Sequence, residues 1–113
     1  MEKFILLFRG GDEHKPGQSP EALQALVQKM MSWIGGLAAK GQHVGGEPLQ
    51  RTGKQVSGTN KTVTDGPFVE AKEIIGGYTI VLAKDINEAV ELAKACPILD
   101  SNGSVEVRLL QKM

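Results

Sequence analysis

Thr64-Asp65-Gly66-Pro67-Phe68-Val69-Glu70-Ala71-Lys72-Glu73-Ile74-Ile75-Gly76-Gly77-Tyr78 runs straight into Thr79-Ile80-Val81-Leu82-Ala83. Asp-Gly-Pro is turn chemistry, because Gly accepts positive φ and Pro fixes its own φ near that of a turn. The segment after it is apolar on both alternating faces, with Tyr78, Ile80 and Leu82 on one and Val81 and Ala83 on the other. That pattern predicts a strand from Gly77 to Ala83 with both faces covered. Gly76-Gly77 removes Cβ where the chain enters the strand, which suits a bulge or a close approach of other backbone.

Working outward, Phe4-Ile5-Leu6-Leu7-Phe8 is a second strand with no polar face. A polar, glycine-rich loop follows from Arg9 to Gly17. Ser19 offers an N-cap, with Pro20 at the first helical position and Glu21 suited to the helix dipole. Leu23, Leu26, Val27, Met30, Ile34 and Leu37 then recur at helical spacing, flanked by Met31 and Trp33, and predict one apolar stripe. The helix should end at Lys40-Gly41. From 42 to 63 the pattern is weak and suggests two short strands, about 46–51 and 59–64, joined through Lys54-Gln55-Val56-Ser57. Asp85 or Asn87 caps a second helix, with Asp85 and Glu88 at capping-box spacing. Its apolar side is Ala89, Val90, Ala93 and Cys96, and Pro97 ends it. The last strand, 104–110, alternates Val105, Val107 and Leu109 with Glu106 and Arg108.

The order β-α-β-β-β-α-β predicts an α+β domain, a ferredoxin-like antiparallel sheet with both helices on one face. The two all-apolar strands take the centre and the last strand an edge. Two helices cover one face only, so the other apolar face calls for a partner. A second copy of the same sheet, a homodimer through the sheet face, is the simplest one.

At 113 residues the chain is read as a single domain, 1–113. Lys plus Arg and Asp plus Glu are 13 each, so no net field favours nucleic acid or an anionic membrane. The longest apolar run is too short to span a bilayer. One Cys excludes an internal disulfide, and with no signal-peptide layout the expectation is a cytoplasmic protein. Two His and one Cys, widely separated, offer no metal-ligand spacing, so neither metal nor cofactor is expected.

Candidate chemistry gathers at the turn. Asp65, Glu70 and Glu73 are candidate proton carriers, because a carboxylate near another in a partly dry cleft can hold its proton close to neutral pH. Lys72 and Arg108 are candidates for holding an anionic substrate. Each has a plainer reading: Asp65 caps its turn through local amides, Glu70 and Lys72 pair across a hairpin, and Arg108 pairs with Glu106 or a partner-chain acid. His14 borders the expected cleft from the first loop, whereas His43 reads as a solvated helix-exit residue. Trp33, off the centre of its stripe, is a pocket candidate, while Met30 and Cys96 read as core.

Asp65-Gly66-Pro67-Phe68, followed by Glu70, Lys72-Glu73 and Gly76-Gly77-Tyr78, resembles the signature of the YCII-related, or DGPF-domain, family. Glu88-Ala89, Ala93, Cys96-Pro97 and Val105-Glu106-Val107-Arg108 continue the resemblance over nearly the whole chain. It implies a dimeric α+β barrel with a cleft in each protomer. Some relatives carry a His–Asp pair resembling that of muconolactone isomerase, with the His on the first helix, and one kind is a dehydrochlorinase. The helix from Pro20 to Ala39 has no His here, a departure from that pattern. The resemblance also links the family to extracytoplasmic-function sigma factors.

Three functions follow as expectations. The first is a small-molecule cleft, taking an anionic or aromatic ligand, with cofactor-free lyase or isomerase chemistry. The second is a non-catalytic ligand-binding or accessory module associated with sigma-factor regulation. The third, by fold analogy alone, is a cofactor-free monooxygenase.

Overall fold

The computed structural model describes residues 1–11, 17–50, 52–65 and 74–112. His14, the turn after Asp65, and Glu70, Lys72 and Glu73 lie outside the described residues. In chain order the elements are β1 (Glu2–Gly10), α1 (Pro20–Ala39), β2 (His43–Pro48), β3 (Lys54–Ser57), β4 (Thr62–Asp65), β5 (Ile75–Ala83), α2 (Ile86–Lys94), a 3₁₀ turn (Pro97–Ser101) and β6 (Gly103–Leu109).

The main sheet has the order β2-β5-β1-β6 and is antiparallel throughout. The two strands without a polar face are central, as their composition requires, and β6 is an edge. Phe4, Leu6 and Phe8 of β1 and Val81 and Ala83 of β5 point to the helical side. There they meet Leu37 of α1, Ala89 and Ala93 of α2, and Cys96 and Ile98. Leu6 and Val81 are wholly excluded from solvent, and each such side chain contributes roughly 1.5–3 kcal/mol of burial. Gly76-Gly77 meets both expectations for that pair. The β1–β5 register steps from Phe8↔Gly77 to Arg9↔Ile75, so Gly76 is the extra residue of a bulge. A Cβ on Gly77 would stand 3.0 Å from the Glu47 carbonyl oxygen and 3.2 Å from Pro48 Cα.

The caps follow the local chemistry. Ser19 Oγ accepts from the Ala22 amide at 3.1 Å, and Gly41 leaves α1 at φ 72°. Asp85, not Asn87, caps α2: its carboxylate accepts from the Glu88 amide at 2.9 Å, while Glu88 reaches back to the Lys84 amide at 3.0 Å.

Two features differ from the sequence reading. Lys54–Ser57, expected as a connection, is itself a strand that pairs with β4, Val56 facing Val63, in a hairpin separate from the main sheet. The strand before it is displaced accordingly, to His43–Pro48 rather than 46–51. Every residue of the hairpin is exposed, Val56 by 64% and Val63 by 56%. The second difference is in α1, whose stripe does not lie flat on the sheet. Leu37 is buried near the C-terminal end, Met30 and Ile34 are half-buried, and Val27 is 55% exposed.

Candidate functional site

Because α1 closes on the sheet only toward its C-terminal end, a cleft of about 360 Å³ remains between its stripe and the β2–β5 side of the sheet. One wall is helical: Leu26, Val27, Met30, Met31 and Ile34. Opposite stand Gly46, Glu47, Pro48 and Leu49 from β2 and its exit, with Gly76, Gly77, Tyr78 and Thr79 of β5, and Phe8 and Ile98 also line it. Gly46 is essential to this shape. A Cβ there would run into the Tyr78 carbonyl oxygen and come within 2.9 Å of both Thr79 Cα and Thr79 Oγ1. The missing side chains at Gly46 and Gly77 therefore let β2 and β5 approach, and they leave bare backbone as the floor.

The lining is almost entirely apolar. Glu47 is the one charged residue among the described lining residues. It pairs with Tyr78, which places its side chain on the sheet face opposite the one shared by Gly46 and Thr79. Thr79 is the polar side chain on the cleft face and is 1% exposed.

The candidates from the sequence are scattered around this cleft. Asp65 closes β4 on the hairpin, where its carboxylate accepts from Lys54 Nζ at 2.8 Å in an exposed ion pair. Arg108 lies on the open face of the sheet. There Arg9 Nε donates to Glu106 Oε1 at 3.2 Å, and Arg108 Nε stands 3.9 Å from Glu106 Oε2. One carboxylate thus sits between two guanidiniums, and the closer partner of Glu106 is Arg9, a strand residue read from the sequence as loop. Trp33 is packed against the core rather than lining the cleft. Its ring meets Phe8 edge-on at 5.9 Å, and its indole N–H donates to the Leu92 carbonyl at 3.2 Å, tying α1 to α2. Met30, read as core, both packs on the core and lines the cleft. Cys96 is buried, with its Sγ 3.8 Å from Met30 Sδ. His43 opens β2, half-buried. His14, Glu70, Lys72 and Glu73 lie outside the described residues. Among the described residues no group of His, Cys, Asp or Glu is arranged to hold a metal ion, and no helix is long and apolar enough to cross a membrane.

Gly46 and Thr79 were not singled out from the sequence. The signal for Thr79 was present: it is the polar member of the parity that continues through Val81 and Ala83. Gly46 gave none, since it sits in a run of small and polar residues where glycine reads as loop.

No sequence among curated proteins matches the chain. A similar solved structure is the 5-chloro-2-hydroxyhydroquinone dehydrochlorinase of Burkholderia phenoliruptrix, in complex with 2,5-dihydroxybenzoquinone. The likeness has a TM-score of 0.49 and 15% identity, covering 97% of this chain and 95% of that one. The sequence model of the YCII-related domain matches residues 4–113, which take in both helices and all of the main sheet except the first two residues of β1. The chain belongs to the YCII-related domain family.

Proposed function

We propose that this protein binds a small, predominantly apolar molecule in the cleft between α1 and the β2–β5 edge. One observation carries the reading: an open cleft of about 360 Å³ whose walls are apolar side chains and whose floor is glycine backbone. That volume lies within the range of roughly 300–1,000 Å³ typical of small-molecule sites. Of the ligand classes expected from the sequence, the lining favours the aromatic over the anionic, since the described residues place no cation on the cleft face. Lyase or isomerase chemistry in this cleft would draw its proton carriers from Glu70 and Glu73, with Lys72 as the cation. Asp65, ion-paired on the hairpin, and Arg108, on the other side of the sheet, do not line this cleft.

The test is titration with N-phenyl-1-naphthylamine, a neutral dye that brightens in apolar surroundings, against the wild type and Val27→Trp. Val27 is on the cleft wall yet over half exposed, so the larger ring can enter the cleft without disturbing the core. Saturable binding at one dye per chain, lost in the variant, is expected. No binding, or binding unaffected by Val27→Trp, would overturn the reading.

We also propose that the open face, Ile5, Leu7, Tyr78, Ile80 and Leu82, packs on the same face of a second copy. All five are half-buried, and among the described residues both helices lie on the other face of the sheet. Light scattering should give twice the 12.1 kDa chain mass, and Ile80→Glu should give a monomer. A monomeric wild type at micromolar concentration would refute this.

A further inference from the structure

Gln42 and Thr79 are the two buried polar residues among those described. Gln42 is satisfied: its amide donates to the Leu82 carbonyl at 3.3 Å and to Glu88 Oε1 at 3.5 Å. Thr79 is not. It is 1% exposed, and among the described residues its hydroxyl has no hydrogen-bond partner. A buried hydroxyl left unpaired is destabilising, and such groups are uncommon enough to require a reason. The place it occupies supplies one. Thr79 lines the cleft, and its Oγ1 is the side-chain atom nearest the empty Cβ position of Gly46, at 2.9 Å. The hydroxyl therefore stands beside Gly46 at the floor of the cleft, where β2 and β5 approach too closely for a side chain on β2 to cover it. Among the described residues, its surroundings there are apolar side chains and strand backbone.

We infer that Thr79 Oγ1 is the polar anchor of the cleft, and that the ligand is a neutral ring-bearing molecule with a single hydrogen-bonding oxygen seated over Gly46. This rests on reading the cleft as a ligand site and adds the ligand's chemistry. A hydroxyl both donates and accepts, so it serves a phenol or a carbonyl equally. It offers no countercharge to a carboxylate, which would lose its hydration on entering an apolar cleft. The size of the body follows from volume. A cavity of roughly 150 Å³ holds benzene, so about 360 Å³ accommodates two fused rings.

Three shape-matched probes separate these statements: 2-naphthol, 2-methylnaphthalene, which replaces the hydroxyl by a methyl, and the anion 2-naphthoate. Dissociation constants are measured by equilibrium dialysis at pH 7 with wild type and Thr79→Val, which keeps the shape and removes the hydroxyl. For the wild type, 2-naphthol should bind about three- to tenfold more tightly than 2-methylnaphthalene, the yield of one hydrogen bond, and 2-naphthoate most weakly. In Thr79→Val the preference for 2-naphthol should vanish while 2-methylnaphthalene binds as before. The same substitution should raise the Tm of the free protein, because it removes an unpaired buried hydroxyl. If both neutral probes bind equally to the wild type, or if the preference survives in Thr79→Val, the anchor is refuted and the apolar cleft stands. A lower Tm for Thr79→Val would also refute it, by showing the hydroxyl to be satisfied without ligand. If no probe binds the wild type, the ligand site itself falls, and the anchor with it.

Discussion

Gly45 and Gly46 are adjacent in sequence, and the structure assigns them opposite responses to the same substitution. A Cβ on Gly45 would meet nothing within 4 Å. A Cβ on Gly46 would meet the Tyr78 carbonyl oxygen, Thr79 Cα at 2.9 Å and Thr79 Oγ1 at 2.9 Å. Two of these three are backbone of the central strand β5, so relief requires β2 to move away from it. β2 is an edge strand held on one side only, and displacing it weakens the ladder from Gly45↔Ile80 to Pro48↔Gly77. Overpacking of this kind is worth about 1–3 kcal/mol. At about 4 °C per kcal/mol for a domain of this size, Gly46→Ala should lower Tm by roughly 4–12 °C. Gly45→Ala meets no obstacle and restricts the unfolded chain, so it should be neutral or stabilising by up to about 1 kcal/mol. Urea unfolding followed by far-UV circular dichroism compares the two at constant m-value. Equal stability of the two variants, or a Gly46→Ala protein within about 0.5 kcal/mol of wild type, would refute the close approach of β2 and β5 and the cleft floor built on it.

Further outcomes follow from single contacts. Trp33→Phe removes the indole donor to Leu92 and part of the contact with Phe8, so about 1–3 kcal/mol should be lost; an unchanged urea midpoint would deny Trp33 its place between the helices. Asp85→Ala should cost about 0.5–2 kcal/mol as a lost N-cap, whereas Asn87→Ala should change nothing measurable, and a reversed order would move the start of α2. Among the described residues Asp65→Asn breaks only an exposed ion pair with Lys54, so Tm should hold to within about a degree. A larger fall would show that the hairpin is coupled to the sheet.

The fold was legible because its decisive signal is local. Phe4–Phe8 and Tyr78–Ala83 lack a polar face, and only central positions of a covered sheet accept that. The caps at Ser19 and Asp85 were equally legible, being chemistry within four residues. β3 was not, because Lys54-Gln55-Val56-Ser57 carries one apolar residue and folds against a strand that is itself solvent-exposed, which leaves no burial pattern to read. The cleft was hidden for a different reason. Helical periodicity reports that Leu26, Val27, Met30 and Ile34 share a face, but it cannot say whether that face meets a sheet or an empty space. Hence Trp33, off the stripe, looked free for a ligand and proved to be the anchor of α1 on the core. The candidate proton carriers Glu70 and Glu73 lie outside the described residues.

The position of β1 between β5 and β6 also constrains how the protein comes to be. Phe4 pairs with Val81 on one side and with Leu109 on the other, so β1 has no neighbour in the sheet until β5 has been made, and its second only with β6. Synthesis at about 5–20 residues per second leaves this doubly apolar segment unpaired for roughly 4–15 s. In that interval Phe4-Ile5-Leu6-Leu7-Phe8 presents both an unpaired edge and two sticky faces. Exposed apolar strands of this kind are prone to aggregate before they pair, so a polar substitution on the open face, at Ile5 or Leu7, should raise soluble yield even where it lowers the stability of the finished fold.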